Sequence, residues 1–105
     1  MKMKRFQTHA SVCAIGLSLF SVTVHAAVEA HSRNITASCA ACHGTNGNSV
    51  GGTPVLAGMD KALFVNSMKD FKSGARPSTV MHHHAKGYSD EEFEMMAEFF
   101  AAQKR

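Results

Sequence analysis

The chain has 105 residues, of which 45% are hydrophobic, with 11 Lys and Arg against 8 Asp and Glu. This length suffices for one domain and is too short for several. Three of the basic residues, Lys2, Lys4 and Arg5, lie at the extreme N-terminus, so the rest of the chain is close to neutral. A near-neutral domain lacks the basic patch that nucleic-acid binding requires, and we exclude that class of function.

The first 26 residues have the pattern of an export signal. The basic start is followed by the apolar run "ASVCAIGLSLFSVTV" and then by "VHA", which suits a signal peptidase. The run is short for a membrane-spanning helix, which needs roughly 20 apolar residues. We predict that residues 1–26 are a cleaved signal and that 27–105 form a periplasmic domain with no membrane attachment. The alternative is an uncleaved N-terminal anchor.

Three short helices and two long loops are predicted in the exported part, with no strand. Residues 28–41 contain no proline and are predicted to form a helix that leads into a pair of cysteines. The polar, glycine-rich segment 44–58 is predicted to be a loop, followed by a helix over 60–73. A second loop over 75–88 precedes a helix over 89–102. The fold class is therefore all-α.

The second and third helices carry clear boundary signals. Asp60 is a predicted N-cap, and Gly74 is a predicted terminator. Ser89 and Glu92 match the capping-box pattern at the start of the last helix. Apolar residues then recur at i, i+3, i+4 and i+7, which predicts a buried face. They are Phe93, Met96, Ala97 and Phe100.

A bound group is needed to complete so small a core. The 79 residues after residue 26 would supply no more than about 3–5 kcal/mol from a core alone. Their two cysteines, Cys39 and Cys42, could close only a very small disulfide loop, which would constrain the unfolded chain little.

The stretch "CAACH", residues 39–43, indicates what that group is. Zinc binding would need further ligands, which His82, His83 and His84 could supply, and a redox dithiol would need a βαβ context that the chain lacks. Cys-x-x-Cys-His is the signature of covalent haem attachment. Two cysteines three apart share one face of a helical turn and can each bond a vinyl group, while the histidine faces the iron. Export favours this interpretation, because such attachment takes place outside the bacterial cytoplasm.

Three segments together resemble a small class I cytochrome c. They are "CAACHGTNGNSVGGTPVLAGM", "FKSGARPSTVM" and "AKGYSDEEFEMMAEFFAAQ", in that order. Within the class, the resemblance is to the cytochrome subunits of flavocytochrome c sulfide dehydrogenases and to one half of two-haem cytochromes of the c4 type. It implies long loops and short helices wrapped around one covalently attached haem c.

The resemblance also implies the two axial ligands of the iron. His43 is the first, and a methionine in the loop before the last helix is the second, which in this chain is Met81. His82, His83 and His84 follow directly, and a histidine ligand in place of the thioether would lower the reduction potential. The other methionines of the exported part are interpreted as packing or incidental residues: Met59, Met68, Met95 and Met96.

Three further residues have roles implied by the same resemblance. The carbonyl of Pro54 would accept the ring N–H of His43, which fixes the tautomer of the ligand. The alternative for Pro54 is a proline that only stiffens the loop. Arg76 or Tyr88 would reach a haem propionate, or else both are surface residues of the second loop.

The function that follows is one-electron transfer, because both axial positions would be filled by protein atoms. We expect an electron-transfer protein that is not a catalyst by itself, namely the haem subunit that accepts electrons from a sulfide-oxidising flavoprotein. The alternative is a free carrier between a periplasmic dehydrogenase and an oxidase or photosynthetic centre. A haem-based sensor and a zinc-binding module are the remaining hypotheses from other classes.

Overall fold

A computed structural model describes residues 11–105, with side chains from residue 23 onward. The predicted basic start, Lys2, Lys4 and Arg5, lies outside the described residues. The chain divides into two units, Met1–Ala30 and His31–Arg105. Within the described part of the chain, no helix is long and apolar enough to cross a membrane.

Five α-helices and one short 3₁₀ helix make up the regular structure of residues 11–105. The α-helices are α1 (Ser11–Ala37), α2 (Ala40–His43), α3 (Lys61–Ser73), α4 (Met81–Ala85) and α5 (Asp90–Ala101). The 3₁₀ helix, Thr45–Gly47, follows α2 directly. Residues 11–105 contain no strand, so the all-α prediction is confirmed.

The boundary signals of α3 and α5 are confirmed in atomic detail. Asp60 accepts a hydrogen bond from the backbone N–H of Leu63, and Gly74 ends α3 in the left-handed conformation. At α5, Ser89 accepts from the N–H of Glu92 while the Glu92 carboxylate accepts from the N–H of Ser89. Both caps satisfy backbone donors that have no partner inside the helix.

The core of the second unit lies between α3 and α5. The rings of Phe64 and Phe100 join the two helices with centroids 5.5 Å apart. The largest fully buried side chains are Phe93, Phe100 and Met96, which all belong to the predicted apolar face of α5. The remaining buried apolar residues are Leu56, Ala57, Phe64, Val65, Met68, Ala85 and Ala97.

Two predicted segments differ from the structure. The helix predicted over 28–41 is part of the longer α1, and a turn at Ser38 and Cys39 separates it from α2. The loop predicted over 75–88 contains the one-turn helix α4, whose first turn is supported by Ser78 accepting from the N–H of His82 at 3.0 Å. Neither feature has an apolar period that would mark it in the sequence.

Candidate functional site

The turn that carries the cysteines is held by its own backbone. The carbonyl of Cys39 accepts from the N–H of Cys42 at 3.2 Å and from that of His43 at 2.8 Å. This bonding places Cys39, Cys42 and His43 within one helical turn. Both cysteines are free thiols, and Cys39 is half-buried whereas Cys42 is exposed. We call residues 38–43 the attachment turn.

The two thiols have different surroundings. Cys39 packs against the core cluster, and burial raises the pKa of its thiol, while the neighbouring Ser38 side chain opposes that rise. A raised pKa keeps Cys39 in its neutral form. The thiol of Cys39 therefore lies at the edge of the apolar interior, where a large apolar group would also have to lie.

His43 is oriented by the backbone of Pro54. The imidazole is 8% exposed, and its Nδ1 lies 2.7 Å from the carbonyl oxygen of Pro54. A carbonyl can only accept, so Nδ1 carries the proton and Nε2 keeps its lone pair. The contact expected between these residues is present, and it leaves Nε2 of His43 as the nitrogen available to a metal.

Two glycines allow the loop after His43 to return to it. Gly44 has φ +78°, and a Cβ there would lie 2.5 Å from the carbonyl oxygen of Asn48. Gly47 has the same φ, and a Cβ there would lie 2.8 Å from Cβ of Leu56. The Gly47 carbonyl also accepts from the N–H groups of Leu56 and Ala57. These close approaches shape the loop that presents Pro54 to His43.

Met81 and the histidines after it lie in α4. Met81 is the first residue of that helix, is half-buried and packs against the same core cluster as Cys39. His82 is also half-buried and its Nδ1 lies 3.1 Å from Ser78 Oγ, while His83 and His84 are exposed. No three His, Cys, Asp or Glu side chains within the described part of the chain are placed to hold a metal ion. The structure therefore adds nothing to the zinc hypothesis.

Arg76 and Tyr88 have protein partners in this structure. Arg76 donates to Ser67 Oγ at 3.0 Å, and its guanidinium lies 4.7 Å from the centroid of the Phe71 ring. Tyr88 contacts Ser38 of the attachment turn through its hydroxyl at 3.1 Å. Sequence reasoning did not find the contact between Tyr88 and Ser38. The residues are 50 positions apart, and no periodicity links them.

The donor set of the site fits a covalently attached haem. It comprises the free thiols of Cys39 and Cys42, one helical turn apart, and the imidazole of His43, whose Nδ1 is hydrogen-bonded to the Pro54 carbonyl. The half-buried Met81 packs against the same core cluster as Cys39. In haem c the two cysteine thiols of such a motif bond the porphyrin covalently, and an imidazole with a thioether ligates the iron in cytochromes c.

The comparisons with known proteins identify the family of the chain. The family model described as cytochrome c matches residues 30–104. The cytochrome subunit of sulfide dehydrogenase from Chlorobaculum tepidum is 44% identical over 72 residues, which are 69% of this chain and 66% of that protein. The thiosulfate dehydrogenase electron acceptor from Stutzerimonas stutzeri is 41% identical over 56% of this chain and 28% of its own length.

A third relative has a longer match at lower identity. Cytochrome c4 from Pseudomonas aeruginosa is 37% identical over 82 residues, 76% of this chain and 41% of that protein. The chain thus spans just under two thirds of the first of these relatives and less than half of the other two. Because the family model covers the attachment turn, the Met81 segment and all of α2 to α5, the chain belongs to the cytochrome c family, whose members bind covalent haem c and transfer electrons.

Proposed function

We propose that this protein transfers single electrons through one haem c bonded to Cys39 and Cys42, with His43 and Met81 as axial ligands. The observation that carries the proposal is the 2.7 Å contact between His43 Nδ1 and the Pro54 carbonyl, directly after the two free thiols. It holds the imidazole in the tautomer that a metal ligand needs. The bound haem supplies a reversible one-electron couple.

The chain's own residues determine how that couple is used. The carbonyl of Pro54 orients His43, and the apolar core next to Met81 excludes water from the ligand side. With two protein ligands, no position is left open for oxygen or substrate. A thioether and an apolar pocket favour the reduced iron, so the protein is suited to accept electrons.

We further propose that the protein works in the periplasm as the haem subunit of a sulfide-oxidising flavoprotein. The 44% identity to a protein named as the cytochrome subunit of sulfide dehydrogenase supports this partner. The export-signal pattern of residues 1–26 supports the location, and the unit that bears the core begins shortly after it, at His31. The flavoprotein would oxidise sulfide, and this chain would receive the electrons one at a time.

A free electron carrier is the second candidate. Relatives named as thiosulfate dehydrogenase electron acceptors, 41% and 36% identical, favour it. The two candidates differ in whether the protein stays bound to its donor. Purification from the native periplasm distinguishes them, because a subunit co-purifies with flavin and is reduced by sulfide, whereas a carrier is obtained without flavin.

The surface used for electron exchange can be tested on either candidate. Ala40 and Ala41 are exposed between the two cysteines, and small side chains there let a partner approach the edge of the haem. We expect Ala41→Trp to slow reduction by the physiological donor at least tenfold, measured by stopped flow, with an unchanged haem spectrum. Ala62→Trp, at an exposed alanine of α3, is the matched control and should leave the rate unchanged. Equal rates for both variants and the wild type would place the exchange surface elsewhere.

A further inference from the structure

Tyr88 joins the attachment turn to the chain that follows α4. Its hydroxyl lies 3.1 Å from Ser38 Oγ and 3.3 Å from the carbonyl oxygen of Ile35. Ile35 belongs to the last turn of α1, and Ser38 directly precedes Cys39. One phenol group therefore contacts the first residue of the attachment turn and the last turn of α1 before it.

The directions of these two hydrogen bonds are settled by chemistry. A backbone carbonyl only accepts, so the Tyr88 hydroxyl donates its proton to Ile35. The Ser38 hydroxyl is then the donor to the oxygen of Tyr88. The phenol thus acts as donor and acceptor at once. A phenylalanine would keep the ring and lose both bonds.

The backbone of Tyr88 is fixed from the opposite side. Its carbonyl accepts from Lys72 Nζ of α3 at 2.7 Å, and its N–H lies 3.4 Å from the carbonyl of Ala85, the last residue of α4. Lys72 also lies 3.6 Å from Asp90 and 5.2 Å from the centroid of the Phe93 ring in α5. The backbone of Tyr88 is therefore held by α3 and α4, and Lys72 links it indirectly to α5, while its hydroxyl holds the attachment turn.

We propose that Tyr88 is a positioning residue that holds the attachment turn against the α4 segment and so keeps Met81 on the haem iron. The inference rests on the proposed ligation by His43 and Met81. The proposed ligand His43 lies in the attachment turn and the proposed ligand Met81 lies in α4, far apart in the chain. Tyr88 is hydrogen-bonded to both segments, through its hydroxyl to Ser38 and through its backbone N–H to Ala85. Without its hydroxyl, the turn and α4 separate more readily, and an added ligand competes better for the position of Met81.

The test is the binding of imidazole to the oxidised holoprotein of the Tyr88→Phe variant. Loss of the weak far-red band of methionine-ligated haem reports displacement of Met81. We expect imidazole to bind about fivefold more tightly than to the wild type, because two hydrogen bonds at the low end of the usual net contribution are lost. Ser38→Ala, which removes one of the two partners, should give a smaller increase, and the double variant should not exceed Tyr88→Phe alone.

Ser32→Ala is the matched control. It removes another hydrogen bond between α1 and α5, from Ser32 Oγ to the Met95 carbonyl at 3.0 Å, at a site away from the attachment turn. It should lower the unfolding midpoint without changing imidazole affinity. Equal imidazole affinities for wild type and Tyr88→Phe, or equal increases in Tyr88→Phe and Ser32→Ala, overturn the positioning role alone. A wild-type protein without the far-red band overturns the proposed ligation and this inference with it.

Discussion

His43, the proposed iron ligand, illustrates how a side chain is oriented by a backbone group. Its Nδ1 lies 2.7 Å from the Pro54 carbonyl oxygen, so the ring is oriented and Nδ1 is the nitrogen that donates. Pro54 acts through its carbonyl oxygen, which every residue type possesses. Its ring contributes separately, by restricting the chain at that point of the loop.

Met81 can be tested as a ligand against another methionine of the chain. We expect Met81→Ala to lose the far-red band and to lower the reduction potential, because the iron exchanges a thioether for water or a nearby histidine. Met59 is also half-buried against the core, and Met59→Ala should lower stability while it keeps the band. Visible spectra and potentiometric titration of both variants give the answer. If Met81→Ala keeps the wild-type spectrum, Met81 is not the axial ligand, and His82 becomes the next residue to test.

The residues of the site differ in how visible they are in the sequence. Cys39, Cys42 and His43 lie within five consecutive residues, and the Cys-x-x-Cys-His spacing is enough to predict their chemistry. Pro54 was predicted only through the family resemblance, and its bond to His43 is present. Tyr88 meets Ser38 across 50 residues, through side chains alone, and no local rule indicates such a contact.

At the scale of the elements, α5 shows how local signals determine a boundary. Its first turn carries Asp90, Glu91 and Glu92, which are favourable near the positive end of a helix. The backbone N–H of Glu91 holds the pKa of its own carboxyl below the ordinary value, with help from a hydrogen bond to Ser89. The capping box then closes the turn, and α5 begins where the sequence predicts.

The capping serine of α5 has a measurable contribution to stability. We expect Ser89→Ala to lower the free energy of unfolding by about 1 kcal/mol, since the N–H of Glu92 loses its acceptor. Denaturant unfolding of the holoprotein checks this value. Asn66→Ala, at an exposed position inside α3, is the control and should be neutral or slightly stabilising. A loss of equal size in both variants would mean that the cap is not the cause.

The elements that sequence analysis missed are those too short to have a period. Helix α4 has only five residues, and its start depends on the side chain of Ser78. The break between α1 and α2 has neither proline nor glycine, and the Ile35 carbonyl next to it accepts from Tyr88. The start of α4 depends on a local side-chain hydrogen bond, whereas the break between α1 and α2 is joined to a distant part of the chain, so neither is marked by an apolar period.

At the scale of the whole molecule, the core is small for an independent domain. The buried apolar side chains come almost entirely from α3, α5 and the short segment at Leu56 and Ala57. Cys39 and Met81 both lie at the edge of that cluster. A porphyrin attached at Cys39 would add apolar surface at that edge. The all-α fold was predictable because its main helices are amphipathic and capped, whereas the role of residues 1–26 remains a prediction.

The dependence of folding on the haem can be tested at His43. We expect His43→Ala, matured in a host that attaches haem, to yield little stable holoprotein. The apoprotein should lack a cooperative unfolding transition, because the polypeptide alone buries too little apolar surface. Circular dichroism during thermal unfolding measures this. A haem-free variant with a sharp transition near that of the wild type would show that the polypeptide core suffices.

The most direct test of the central claim is the visible spectrum of the wild-type protein in its oxidised and reduced states, together with the intact mass. The account predicts one covalently bound haem, a low-spin haem c spectrum in both states and the weak far-red band of a methionine ligand when oxidised. A colourless protein, or a mass without haem after maturation in a competent host, would contradict the haem assignment. A low-spin haem c spectrum without the far-red band would contradict the assignment of Met81.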